Sequence, residues 1–407
     1  MRSADAHALI AERDPALPAL PELLDGALLG QRLGAPVTRT YLRYKPGTSA
    51  VALVDVAGRP AIAQAWRPGA GDKRGKALKD AGAEDILLDD PDAGLLVLDA
   101  LADRKIPALR LLVRSGRVGP WLTRAGHPLP GGFEPETLAH KPARRWVGRV
   151  PADAPGSGVV LRAYAGDGYG EALAAHGLVD PDRCPSVRLP RVVATHRRGL
   201  IALEYLPGRT LDTTVSAATL RRLGASLGEL HASGPSDVIG AAHPATIDGL
   251  SVTSPVLGDA LDEGRRVEEA ARAALRPGPG SVVHGDFSLD QVVADGHDIG
   301  LIDLDRVRLG NPQDDIASLL AAAGATALPH GGAPAAAALM DRLRAPLVAG
   351  HASTWSGPLT DDLGPRTALE LLARAGEPFR SGCAEWPTVT EELITLAGSL
   401  VAGRAAA

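Results

Sequence analysis

Between Val282 and Leu320 the chain gathers the side chains best suited to chemistry: His284-Gly285-Asp286, Asp290-Gln291, Asp303, Asp305 and Asp314-Asp315. Oxygen donors dominate, the set a hard cation prefers and from which a general base is drawn. Two short apolar runs, Gln291–Ala294 and Ile299–Ile302, flank Asp295-Gly296-His297-Asp298. That pattern predicts a β-hairpin. The hairpin brings Gln291 and Asp303 to one end of a small sheet, with Asp286 on the loop that enters it. Three oxygen-bearing side chains converging there would hold a cation beside a base.

The elements that must position these residues lie upstream. Trp146–Val150 and Val159–Tyr164 predict strands around a turn at Pro151–Gly158, followed by a short helix at Gly170–Gly177. Arg191–Ala194 and Leu200–Leu203 predict a hairpin. Its last strand runs through Glu204-Tyr205-Leu206 into Pro207-Gly208, as a crossover between two lobes would. Leu220, Leu223, Leu227 and Leu230 recur at helical spacing within Ala217–Ala232, predicting an amphipathic helix with a buried face. His231, beside that face, reads as a core or helix-end histidine rather than a catalytic one.

The same order occurs once before. After a helical lead-in at Leu20–Leu29 and the segment Tyr41–Gly47, strands are predicted at Ala50–Val56 and Ala61–Trp66. A helix at Asp72–Ala81 and a hairpin of Ile86–Leu88 with Leu95–Leu98 follow. Lys45-Pro46 matches Lys141-Pro142, and Gly94–Asp99 matches Gly199–Glu204. We read a duplicated ββαββ unit. The first copy has no acidic stretch downstream, so it is expected to be a cap or dimerisation element rather than a second active site.

With 407 residues the chain is long enough for two or three domains. Hydrophobic and charged fractions of 45% and 22% are those of a globular protein. A net charge of −5 without a long basic run argues against nucleic-acid binding. Cys184 and Cys383 lack metal-ligand spacing. No signal peptide and no apolar run of about 18 residues are visible, so a cytoplasmic protein without membrane contact, monomer or homodimer, is expected. Helices are predicted at Ile316–Ala323, Ala335–Leu343, Arg366–Ala375 and Val389–Val401, broken by Pro329, Pro334 and Pro346. Glu377, Phe379, Arg380 and Trp386 break this spacing, as core aromatics and a solvated arginine would.

The order strand–helix–strand, Glu204-Tyr205-Leu206, helix, His284-Gly285-Asp286, Gln291, Ile302-Asp303 resembles the aminoglycoside phosphotransferase and choline kinase group over about residues 137–400. The N-terminal unit is similar to the cap of actinobacterial maltokinases. The resemblance implies an α+β, bilobal protein-kinase-like fold with an added cap: residues 1–130 the cap, 131–207 the nucleotide lobe, 208–407 the catalytic lobe. It implies ATP and Mg²⁺ as cofactors and a small-molecule hydroxyl as acceptor, on a sugar, amino sugar or aminocyclitol such as an aminoglycoside. Asp286 would orient that hydroxyl, and Gln291 and Asp303 would hold metal. Asp305 and Asp290 would face the metal or solvent. Asp315 would hold the catalytic loop's backbone, while Asn311 stands where the pattern has Asp. Arg162 occupies the place of the usual phosphate-binding lysine, with Glu171 as its expected ion-pair partner. Backbone groups near Glu204, Tyr205 and Leu206 would meet the base. The resemblance implies instead that Glu377, Phe379, Arg380 and Trp386 face a bound acceptor. Arginine is not equivalent to lysine there. That motivates an alternative, a non-catalytic kinase-like protein that binds nucleotide or a partner; a metal-dependent phosphoester hydrolase is a third reading.

Overall fold

A computed structural model describes residues 3–113, 118–128, 135–151, 158–234, 243–278 and 280–403. Three helices lead in: α1 (Ser3–Glu12), α2 (Leu20–Leu24) and α3 (Gly26–Leu33). Asp25 caps α3 by accepting the Ala27 N–H at 2.8 Å, and Gly34 ends it in the left-handed region. Next come β1 (Val37–Lys45), β2 (Ser49–Val56), β3 (Arg59–Trp66), α4 (Gly71–Leu78), β4 (Ile86–Asp90) and β5 (Leu95–Asp99). Ala50, Ala52, Val54 and Val56 are buried in alternation along β2, the period-two pattern of a strand with one face on a core. The sheet is antiparallel, in the order β1-β2-β3-β5-β4.

Helices α5 (Leu109–Val113) and α6 (Val118–Arg124) precede a second set: β6 (Glu136–Lys141), β7 (Arg145–Pro151), β8 (Gly158–Tyr164), α7 (Gly168–Gly177), a short β9 (Val187–Arg188), β10 (Val192–His196) and β11 (Leu200–Glu204). This sheet runs β6-β7-β8-β11-β10, the same order as the first. Register agrees as well. Trp66 donates its N–H to the Gly94 carbonyl, and Tyr164 donates to Gly199. Each sheet has one edge strand, β1 or β6, more than the ββαββ unit expected from sequence. Charged residues such as Arg39, Arg43 and Lys45 interrupt the apolar alternation there.

The remaining chain forms β12 (Arg209–Thr210), α8 (Ala217–Ala232), α9 (Ser254–Ala274), β13 (Ser281–Val283), β14 (Val292–Asp295), β15 (Asp298–Leu301), β16 (Arg308–Gly310), α10 (Pro312–His351), α11 (Leu363–Arg374), α12 (Glu377–Ser381) and α13 (Trp386–Ala402). Leu220, Leu223, Leu227 and Leu230 are fully buried on α8, which packs on α10. The expected breaks at proline are corrected: helix α10 continues through Pro329 and Pro346 and kinks only at Gly332, φ 67°. Pro334 opens the segment after that kink, where a missing N–H is tolerated. A buried face including Leu328, Met340, Leu343 and Leu347 holds both segments by packing, which outweighs local propensity. Among the described residues no helix is long and apolar enough to cross a membrane.

Candidate active site

Strands β14 and β15 pair from Asp295↔Asp298 to Val292↔Leu301, and one step further the Ile302 N–H donates to the Gln291 carbonyl at 2.9 Å. The hairpin therefore sets Gln291, in a turn just ahead of β14, beside Ile302-Asp303. Asp303 has φ 63° and ψ 48°, left-handed backbone that a non-glycine residue adopts only when its surroundings enforce it. Gly285 has φ 83°, and a Cβ there would collide with the Arg306 carbonyl. The glycine of His284-Gly285-Asp286 thus permits the catalytic-type loop to lie against the segment after Asp303.

Asp315, fully buried, accepts the N–H groups of His284 at 2.6 Å and Gly285 at 2.8 Å, and stands 3.0 Å from His231 Nε2. Burial alone would raise its pKa, but the bond to His231 and the further charges and backbone donors around it lower it. Asn311 caps α10 by accepting the Gln313 N–H. His231 is a core histidine bonded to Asp315 and His351, away from the solvent.

One sequence expectation is corrected here. Arg162 pairs not with Glu171 but with Asp303 at 2.6 Å and Asp305 at 2.9 Å. Arg145 adds contacts of 3.1 Å and 3.3 Å to Asp303 and 2.6 Å to Asp305, and Tyr164 donates its hydroxyl to Asp305 at 2.9 Å. The Arg162 side chain is only 5% exposed, so its guanidinium is committed to carboxylates rather than open to a phosphate. The sequence missed this because strand β8 and Asp303 are far apart in the chain and meet only when the two lobes close on each other. Burial alone would raise Asp303, yet Arg162 and then Arg145 hold it well below the usual carboxylate range. Asp305, 7% exposed against 26% for Asp303, is enclosed rather than solvated, whereas Asp290 faces outward and accepts from Ser288 Oγ.

Asp286 differs from these acids. Its side chain is 32% exposed, with Arg306 at 3.3 Å and Arg374 at 3.7 Å. It opens on a cleft of about 790 Å³ whose walls come from β1, the β6–β7 turn, α11 and α12. Sequence reasoning missed two of those walls: Tyr41–Lys45 and Lys141 were noted only as repeat signals. Arg380, Phe379 and Glu377 line the cleft, whereas Trp386 is buried against Phe379 and donates its indole N–H to His7. Glu370, also lining it, is pushed up to about 7 by burial, against the pull of Arg374. Lys141 is lowered by the surrounding protein and then by Arg145 and Arg306.

A neighbouring opening of about 430 Å³ is bordered by Lys141, Arg144, Arg145, Glu171, Asp286 and Asp303. At the lobe crossover, Glu204 donates its N–H to the Arg191 carbonyl, Tyr205 lies 4.1 Å under the Arg149 guanidinium, and Leu206 is buried. Gln291 Oε1 is buried without a hydrogen-bond partner among the described residues. An oxygen left so is costly unless something outside the chain satisfies it, and an amide oxygen beside a carboxylate suits a hard cation.

Residues 125–352 match the phosphotransferase enzyme family over more than half of the chain, and the chain belongs to that family. No curated protein matches it. Among solved structures it is similar to a macrolide 2'-phosphotransferase from Brachybacterium faecium, at 18% identity over 70% of this chain and 97% of that one, TM-score 0.43. It is also similar to a thermostable mutant of aminoglycoside phosphotransferase APH(4)-Ia, at 13% identity over 71% and 100%, TM-score 0.45.

Proposed function

We propose that this phosphotransferase moves the terminal phosphoryl group of ATP to a hydroxyl of a small molecule, in the class of sugars, amino sugars and aminocyclitols. The observation that carries the reading is Asp286. It opens on the larger cleft with its arginines at 3.3 Å and 3.7 Å, whereas Asp303 is bound by Arg162 at 2.6 Å, and it lies on a loop whose backbone Asp315 clamps. Asp286 accepts the acceptor's hydroxyl proton as the acceptor oxygen bonds to phosphorus, and the bond to the bridging oxygen of ADP breaks. Lys141 and Arg144, at the β6–β7 turn, face the phosphates in place of Arg162. Backbone at Glu204, Tyr205 and Leu206 meets the base. Gln291 and Asp303 would hold Mg²⁺, which neutralises phosphate charge when bound. At Asp303 the ion would compete with the guanidiniums, and the unpartnered Gln291 oxygen supports its place. We set the start of the nucleotide lobe nearer Asp103 than residue 131, because α5 and α6 pack with Trp146 and Leu161 of the second sheet.

That same enclosure of Asp303 by arginines favours, as a second reading, a protein that binds nucleotide without turnover. ADP release measured over a panel of hydroxyl compounds separates the two. On the first reading Asp286→Ala lowers turnover by about 10²–10⁴-fold while AMP-PNP still binds. Near-normal ADP release by that variant would overturn the assignment of Asp286, and nucleotide binding without release on any acceptor would favour the second reading.

A further inference from the structure

The charge of the cleft beside Asp286 runs against that of the chain. The protein carries a net charge of −5, yet the walls of this cleft bring seven Lys and Arg side chains against three acids. Those acids are already engaged. Asp286 lies between Arg306 and Arg374, Glu377 is 3.6 Å from Arg374, and Glu370 borders Arg374 at 3.9 Å. Arg374 is further fixed by Ser318 Oγ at 2.9 Å. On opposite walls, Arg43 of β1 and Arg380 of α12 are half-buried and have no carboxylate partner among the described residues. The two walls are fastened to each other, because Arg39 of β1 donates to the carbonyls of Phe379 at 3.0 Å and Arg380 at 3.3 Å. Half-buried guanidiniums gathered without counter-charge, in a chain with acid to spare, mark a surface built for an anion from outside. Lys141 and Arg144 lie on the turn assigned above to the nucleotide's phosphates; Arg43 reaches the cleft from β1, where it also borders the neighbouring opening, and Arg380 reaches it from α12.

We propose that the acceptor carries a carboxylate or phosphate group besides its reactive hydroxyl, bound by Arg43 and Arg380, so that the cap selects the substrate. The proposal rests on the phosphotransfer reading above and narrows its acceptor class. Polycationic aminoglycosides are disfavoured, because each ammonium group would enter a field of like charge. Neutral sugars lack the group that the two arginines recognise.

The test is calorimetric titration of the full chain, saturated with Mg²⁺ and AMP-PNP so that the nucleotide-facing cations are filled. Glucose, glucosamine, glucuronate, glucose 6-phosphate and inorganic phosphate serve as probes, the carboxylate and phosphate arms distinguishing the two anion sources. At least one anion should bind about tenfold more tightly than glucose and glucosamine. Arg43→Gln and Arg380→Gln should each erase most of that discrimination, and Arg43→Lys should restore part of it. Glucosamine binding as tightly as every anion, an anion preference untouched by both Gln variants, or no anion binding below about 10 mM would overturn the proposal. ADP release from the same mixtures with ATP reads the kinase assignment separately: anion binding without ADP release keeps the anion site and overturns phosphoryl transfer.

Discussion

The two five-stranded sheets are the same scaffold with different charges. Their turns correspond: Lys45 pairs with Ser49 around Pro46-Gly47-Thr48, and Lys141 with Arg145 around Pro142-Ala143-Arg144. The middle residue of each turn has positive φ, 65° at Gly47 and 57° at Ala143. In each an upstream aspartate accepts its N–H, Asp14 at 2.8 Å and Asp103 at 2.7 Å. Even the flanking contact is kept, since Tyr44 reaches Asp14 and His140 reaches Asp103. What differs lies on the third strand. Leu96 faces Gln64 in the first sheet where Ile201 faces Arg162 in the second. Only the second sheet closes on Asp303 and Asp305. A scaffold can therefore persist while its chemistry is decided by one strand position and by what packs over it.

The largest test of that contrast is at the third strand. Arg162→Ala leaves Asp303 and Asp305 short of their buried counter-charge and should destabilise the fold by about 3–5 kcal/mol in urea denaturation. Gln64→Ala, at the matching position of the first sheet, should stay within about 1 kcal/mol. Equal losses would mean that the two positions are not distinguished by charge.

A second contrast sets Asp303 and Asp305, which Arg162 meets at 2.6 Å and 2.9 Å, against Glu370, whose arginine neighbour Arg374 stands off at 3.9 Å. Its folded pKa of about 7 lies above the ordinary 4.5, so the native state holds a proton that the unfolded chain releases. Stability from this group is therefore present below about pH 4.5 and falls as pH rises to about 7. Glu370→Gln should flatten the stability profile in that window by about 1–3 kcal/mol. An unchanged slope would place the titration elsewhere.

The smallest effect concerns the turns. Gly47→Ala meets no neighbouring atom but must adopt left-handed backbone, costing about 1 kcal/mol. Ala143→Gly relieves the same strain, so its thermal stability should be unchanged or higher. Shifts of the same sign at both sites would deny the shared geometry.

Local signals carried much of this architecture. Helix α8 spans the Ala217–Ala232 range that leucine spacing predicts, and apart from the edge strands β1 and β6 the strands of both sheets lie within a few residues of their apolar runs. The role expected for Asp315 matches its bonds to His284 and Gly285. Contacts between distant segments were not legible. Periodicity says which face of a strand is buried, not that Arg162 meets Asp303, that Asp103 meets Ala143, or that α1 brings His7 against Trp386. The wall that the first sheet lends to the cleft was hidden for the same reason. Its arginines look like ordinary edge-strand charges until β1 is seen fastened to α12.

The claim that one scaffold occurs twice but binds nucleotide once is tested most directly by titrating Mg²⁺–AMP-PNP into wild type, Asp103→Ala and Asp14→Ala. The account predicts one nucleotide per chain, binding weakened about tenfold when Asp103 no longer preorganises the second turn, and little change from Asp14→Ala. Two nucleotides per chain, or equal weakening by the two substitutions, would contradict it.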